Sequence, residues 1–234
     1  MESVITQKEH TPVNKRAVVL LAAAGVTLAV IFGVNLLHLL DNAILRVLHI
    51  SAYSLMIYNA AAAVLFFIYI PCLNAFLVRK TGFAPFARSD KPQPLHRTLI
   101  LFGMTAVCVF VTAATIGFKF KLYYELGLDV AVIQMSAVLV EYVRRLTQLL
   151  LAIAFMRIVD EAWMSLRPDS RVPVAGIAFV LLYGVVEFFF YRYLGRDMFP
   201  YVYLAYNVVY AVMYYIGGRK VYTTFIPAAI MLVL

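Results

Sequence analysis

Residues 130–158 read VAVIQMSAVLVEYVRRLTQLLLAIAFMRI. The stretch is long and apolar enough for a transmembrane helix, yet Glu141, Arg144 and Arg145 interrupt it. An ionisable group at membrane depth costs at least ~2.5 kcal/mol on insertion scales, so it persists where it is paired or lines a cavity. At 100° per residue, Gln134, Glu141, Arg145 and Gln148 fall within roughly 60° of one another, which makes one polar stripe on one helix face. Glu141 precedes Arg145 by one helical turn, the acid-first order that favours an ion pair. Such a stripe has to face a bundle interior or water. Two readings are open. One is a single helix with an interior ion pair or a ligand site. The other splits the stretch into an interfacial helix, from Asp129 to Val143, and a span beginning at Leu146, with both arginines snorkelling at the interface.

The rest of the chain argues for a membrane setting. Of 234 residues, 64% are hydrophobic and 14% charged, and the mean hydropathy is +0.88. Soluble domains carry roughly 25% charged residues, so lipid is the natural solvent here. Residues 1–16 form a polar tail. Apolar segments follow at about 17–40, 53–78, 98–118, 130–158, 172–191, 199–216 and 221–234. The first is too long for a signal-peptide core and reads as an anchor. The seventh has only 14 residues, or ~21 Å of helix against a ~30 Å hydrocarbon core. It is a half-span, a re-entrant piece, or a sign that the chain continues, and Pro227 is expected to bend or break it. The expected fold is an all-α, polytopic transmembrane helical bundle with six full spans and a short seventh segment.

Lys and Arg counts orient the bundle. With the N-terminus inside, the inner segments hold 13 of these residues, the outer ones 5, and two remain within segment four. Under the positive-inside rule this places the N-terminus in the cytoplasm, and the plasma (inner) membrane is the expected location. The same rule accounts for the net charge of +8 without any nucleic-acid partner. The basic connector 79–97 suits anionic lipid or a cytoplasmic partner. Cys72 and Cys108 lie in apolar segments and read as buried small side chains. No Cys or His spacing suits a metal or haem, and no cofactor is expected.

Further polar residues break the apolar pattern. Glu187 lies in segment five, with Arg192 at its outer end. Asn207 lies in segment six, where Tyr203, Tyr206, Tyr210 and Tyr214 share one face. These tyrosines suit core packing with hydroxyls bonded between helices, or an aromatic wall for a lipid tail, an isoprenoid or a peptide. Asn35, His38 and Asn42 share a face in segment one. The ligand-binding set expected from the sequence is Gln134, Glu141, Arg144, Arg145, Gln148, Asn207, Tyr206 and Tyr210.

The stretch VVEFFFYRYL, Val185 to Leu194, resembles the E-E-x-x-x-R motif of the CPBP family, the CaaX-protease and Abi-like intramembrane proteases. Glu187 matches the first glutamate and Arg192 the arginine, whereas Phe188 stands at the second glutamate. That family also uses histidines in later helices, and no histidine follows Arg192 here. The resemblance covers about ten residues and implies a non-catalytic relative, or an enzyme with Glu187 as general base and Arg192 as anchor for an anionic head group.

Three functions therefore stand open. The first is a non-catalytic component with a polar intramembrane site: a small transporter, a substrate-binding subunit or an accessory subunit. The second is an intramembrane enzyme or degenerate protease acting on a lipid-linked or membrane-protein substrate. The third is a scaffold or sensor acting through 79–97. Expected partners are the lipid bilayer and a membrane protein or second copy. No Walker motif is present, so an ATP-driven step would need a partner.

Overall fold

The computed structural model describes residues 13–48, 52–87, 92–115, 132–170, 172–193 and 199–234. Among them every regular element is helical. They are α1 (Val13–Leu48), α2 (Ala52–Thr81), α3 (Leu95–Thr115), α4 (Val132–Leu166), α5 (Val174–Phe179), α6 (Val185–Tyr193), α7 (Phe199–Ile216) and α8 (Val221–Val233). A single π-helical turn, Val180–Gly184, joins α5 to α6.

Three described helices are long and apolar enough to cross a membrane, through Lys15–Leu36, Met56–Thr81 and Leu95–Ala114. Their outward faces are bare hydrocarbon: Val64, Phe67 and Ile68 on α2, and Leu99, Val107 and Phe110 on α3, are all more than half exposed. In water such a surface would be a liability, whereas against lipid it is at rest. The other apolar helices are shorter: Val174–Phe189, Tyr201–Ile216 and Val221–Val233.

α4, which carries Glu141, Arg144 and Arg145, is one continuous helix. It does not break near Val143, and it runs eight residues past the expected end at Ile158. At 35 residues it is ~52 Å long. It is also the pillar of the fold, packed against α1, α2, α5, α7 and α8. Leu151, Ala152, Ile153, Ala154, Phe155 and Met156 are all buried, so every face of α4 is covered at mid-height. A helix apolar all round at its middle belongs in the centre of a bundle. Charges flank that middle on both sides, Arg145 before it and Arg157 after it, ~18 Å apart.

Helix ends follow from local chemistry. Gly82 takes a left-handed φ of +70° and closes α2 with its N–H on the Val78 carbonyl, 3.0 Å. Pro168 follows α4 and cannot extend it. α7 ends in a Schellman turn: Gly218 has φ +72°, and the Arg219 and Gly218 amides donate to the Tyr214 and Tyr215 carbonyls at 2.9 and 3.1 Å. Pro227 is buried inside α8, yet the helix runs through it unbroken. Of the expected bend or break, the break does not occur. Thr223 and Thr224, in the turn before it, turn their hydroxyls back onto the Lys220 carbonyl.

Several contacts collect at one end of the bundle. Arg16 at the start of α1 meets Glu161 near the end of α4. Gln93, before α3, donates to the Ile216 carbonyl at the end of α7. The Gly176 amide at the start of α5 donates to the Tyr215 hydroxyl at 3.0 Å, which satisfies one of the free amides of a helix start. The long helices thus alternate up and down. Gly176 also permits a close approach of α5 to α7, since a Cβ there would stand 2.8 Å from the Tyr215 ring and 3.3 Å from Ala211. Small residues at membrane helix interfaces allow this kind of contact. Gly176→Val is expected to force α5 off α7 and cost about 1–3 kcal/mol, read as a lower unfolding midpoint of the detergent-solubilised chain.

Candidate functional site

The polar residues of α4 meet those of the π-helical turn, α6 and α7 around one cavity. Its volume is about 100 Å³, room for several waters. Arg144, Arg145 and Gln148 enter from α4, Tyr183 from the π-helical turn, and Glu187 from α6. Asn207, with Tyr203, Tyr206 and Tyr210, closes it from α7, and Asn35 reaches it from α1. Met231 and Leu232 of α8 complete the wall.

The hydrogen bonds show how each side chain is held. Arg144 donates Nε–H to Asn59 Oδ1 at 2.7 Å and Nη1–H to Gln148 Oε1 at 2.8 Å. Gln148 then donates to the Tyr183 hydroxyl at 2.7 Å. Tyr183 is itself clamped between Phe32 and Phe179, with ring centroids 5.7 and 5.1 Å away. Arg145 pairs with Glu141 at 2.6 Å and lies over the Tyr142 ring, as their acid-first spacing anticipates. On the facing wall, Asn207 donates to Glu187 Oε2 at 3.0 Å. Thr112 of α3 and the Tyr206 hydroxyl share a further bond.

The sequence expectations divide cleanly. Arg144, Arg145, Gln148, Asn207, Tyr206, Tyr210 and Glu187 converge on the cavity. Glu141 stands behind it and holds Arg145. Gln134 lies on α4, two residues before the first described side chain, and the side chains of His38 and Asn42 also lie outside the described ones. Arg192 is exposed and does not line the cavity. Cys72 is exposed on α2, which corrects its expected burial; its side of the helix faces outward, where a thiol is at ease in lipid.

Two contributors were missed. Asn59 is 1% exposed and anchors Arg144 from α2. A lone amide in the apolar run MIYNAAAAVLFF was a legible signal. The other is a second polar layer at the far end of α4. Asp160, 1% exposed, accepts from Tyr214 at 3.3 Å and pairs with Arg219 at 3.4 Å. Glu161 pairs with Arg16 at 2.6 Å and with Arg157 at 3.7 Å. Arg157 lies over the Phe83 ring, 5.0 Å from its centroid. Arg219 reaches Asp160 from a left-handed φ of +61°, unusual for a residue with a side chain. This layer has a cation for each acid.

Among the described residues no group of three His, Cys, Asp or Glu is arranged to hold a metal ion. Comparison with family models, with curated proteins and with solved structures gives no match.

The Asp160 layer invites a stability test. Arg219→Ala leaves a buried carboxylate with only the Tyr214 hydroxyl, and is expected to cost about 1–3 kcal/mol. Adding Asp160→Asn to that variant removes the unpaired charge, so the double variant is expected to unfold at a higher temperature than Arg219→Ala alone.

Proposed function

We propose that this chain is a non-catalytic, multi-pass membrane component whose intramembrane cavity takes a small polar ligand. A small transporter, the substrate-binding subunit of one, or an accessory subunit of a membrane complex fits this reading. The observation that carries it is the convergence of Arg144, Arg145, Gln148, Glu187 and Asn207, from three helices, on one cavity. Polar groups at membrane depth are expensive, and a plain bundle has no use for five of them around an open space. Their placement on α4, α6 and α7 suits a site that opens when these helices shift against one another.

In this reading the chain sits in the plasma membrane with six spans and the short α8. Its N-terminus faces the cytoplasm together with 79–97, the end of α4 and the α7–α8 turn. The 13 to 5 distribution of Lys and Arg supports that orientation. A fluorescent protein that matures only in the cytoplasm, fused at residue 1, is expected to glow, whereas a dark fusion with normal expression reverses the bundle.

An enzyme is the second reading, and Glu187 favours it, since its carboxylate lines the cavity. Arg192 stands outside that space, so the family resemblance supplies a binder more readily than a protease.

The test is a thermal-shift panel on the purified full chain, with amino acids, carboxylates, amines, phosphate esters and sugars. At least one class is expected to raise the unfolding midpoint by several degrees, with the effect lost in Arg144→Gln. A panel in which nothing binds removes the transporter and substrate-subunit forms. Affinity capture from detergent followed by mass spectrometry then separates a subunit, which brings a stable partner, from a component that works alone.

A further inference from the structure

The cavity holds two opposite charges that do not meet. Arg144 bonds to two neutral amides, Asn59 and Gln148, and to no carboxylate. A guanidinium has five N–H donors, so three remain for another acceptor. Glu187 faces it across the same space with the Asn207 amide as its polar partner. Arg144 and Arg145 both act on Glu187 through space, yet neither is within ion-pair distance of it. Two such groups in a bundle interior would collapse onto each other if nothing held them apart, because their attraction grows as water is excluded. Here the amide clamps hold each in place. Gln148 is fixed by Tyr183, and Asn207 is packed against Gly184, where even a Cβ would stand 3.3 Å away. The gap between the charges is thus built into the fold.

We infer that the gap is a seat for a compact zwitterion, with its anionic group on Arg144 and its ammonium group between Glu187 and the tyrosine wall. The planar guanidinium fork matches a carboxylate or a phosphate. Tyr206 and Tyr210 stack with centroids 6.4 Å apart and line the same cavity as Glu187, and aromatic rings favour an ammonium ion. A lone anion satisfies Arg144 but brings a second negative charge toward Glu187. A lone cation does the reverse toward Arg144 and Arg145. A molecule carrying both charges satisfies both walls and brings no net charge into the bundle. Free amino acids have this chemistry, and so does a phosphoethanolamine head group. The inference rests on the proposed ligand-binding role of the cavity and narrows it to one ligand class.

The experiment uses the full chain in nanodiscs of phosphatidylglycerol, which contain no zwitterionic lipid. Four soluble probes are compared at equal concentration: alanine, propionate, ethylamine and glycerophosphoethanolamine, whose phosphodiester carries a single negative charge. Alanine or glycerophosphoethanolamine is expected to raise the unfolding midpoint, while propionate and ethylamine leave it unmoved. Arg144→Gln and Glu187→Gln are each expected to weaken the zwitterion by about tenfold or more. Arg144→Lys, which keeps the charge but loses the fork, serves if Arg144→Gln fails to fold, with an intermediate loss expected. The exposed Arg167→Gln is the control and keeps full binding. The source is read by adding phosphatidylethanolamine to the nanodiscs. If the site takes a lipid head group, alanine binding falls, and if it takes a free solute, alanine binding is unchanged. Binding of propionate or ethylamine as tight as that of alanine overturns the zwitterion and leaves a ligand cavity of another class. Absence of binding by both zwitterions overturns it as well, and the wider panel then decides separately whether the cavity binds anything.

Discussion

A helix with charges at membrane depth is tolerated only when other helices surround it, and α4 imposes that condition on the whole chain. Its uncharged middle, Leu146–Met156, is eleven residues or ~16 Å long, about half the hydrocarbon thickness. A bilayer-spanning helix with so short an uncharged middle would carry at least one charged layer below the lipid surface. Every major packing choice answers this. α1 and α2 cover one side of α4, α5 and α8 another, and α7 reaches it at both layers through its tyrosines. α3 meets α7 and α8 rather than α4, and it is the most lipid-exposed of the three long apolar helices.

How much of this was legible in the sequence depends on the range of the interaction. The helical class, three helices long and apolar enough to cross a membrane, and the Glu141–Arg145 pair are local patterns, and the structure carries them. The reach of α4 beyond Ile158 was not legible. Hydropathy falls at Asp160 and Glu161, and their cations lie far along the chain, at Arg16, Arg157 and Arg219. Only folding brings them together. The lysine and arginine count treated Arg16, Arg157 and Arg219 as topology signals, whereas each also has an acid to pair with. The π-helical turn had no sequence signal either. It ends at Gly184, where α7 comes close with Leu204 and Asn207, a contact between helices. The tyrosine face was legible as a face, but its division between Asp160 and the cavity was not.

The π-helical turn matters for the site because it resets the phase of the helix that follows. One extra residue in the turn rotates everything after it. Tyr183 inside the turn bonds inward to Gln148, and Glu187 in the next turn still reaches the same cavity. Such bulges are frequent where a helix must aim a side chain rather than only pack.

The two charged layers of α4 use the same residue types for different ends, and the difference lies in pairing. At Asp160 and Glu161, acids and cations meet within 2.6 to 3.7 Å, so the layer is complete and works as a clamp on α1, α4 and the α7–α8 turn. A buried pair is weak evidence of added stability, since desolvation consumes most of the attraction, but losing one partner is costly. Such a layer fixes which helices are neighbours. At Arg144 and Glu187 the charges are instead held apart by neutral amides, at the edge of a cavity. A layer built for stability alone would let them meet. That they do not is the strongest physical reason to look for function at this end of the bundle, and to regard the other end as the frame that holds it open.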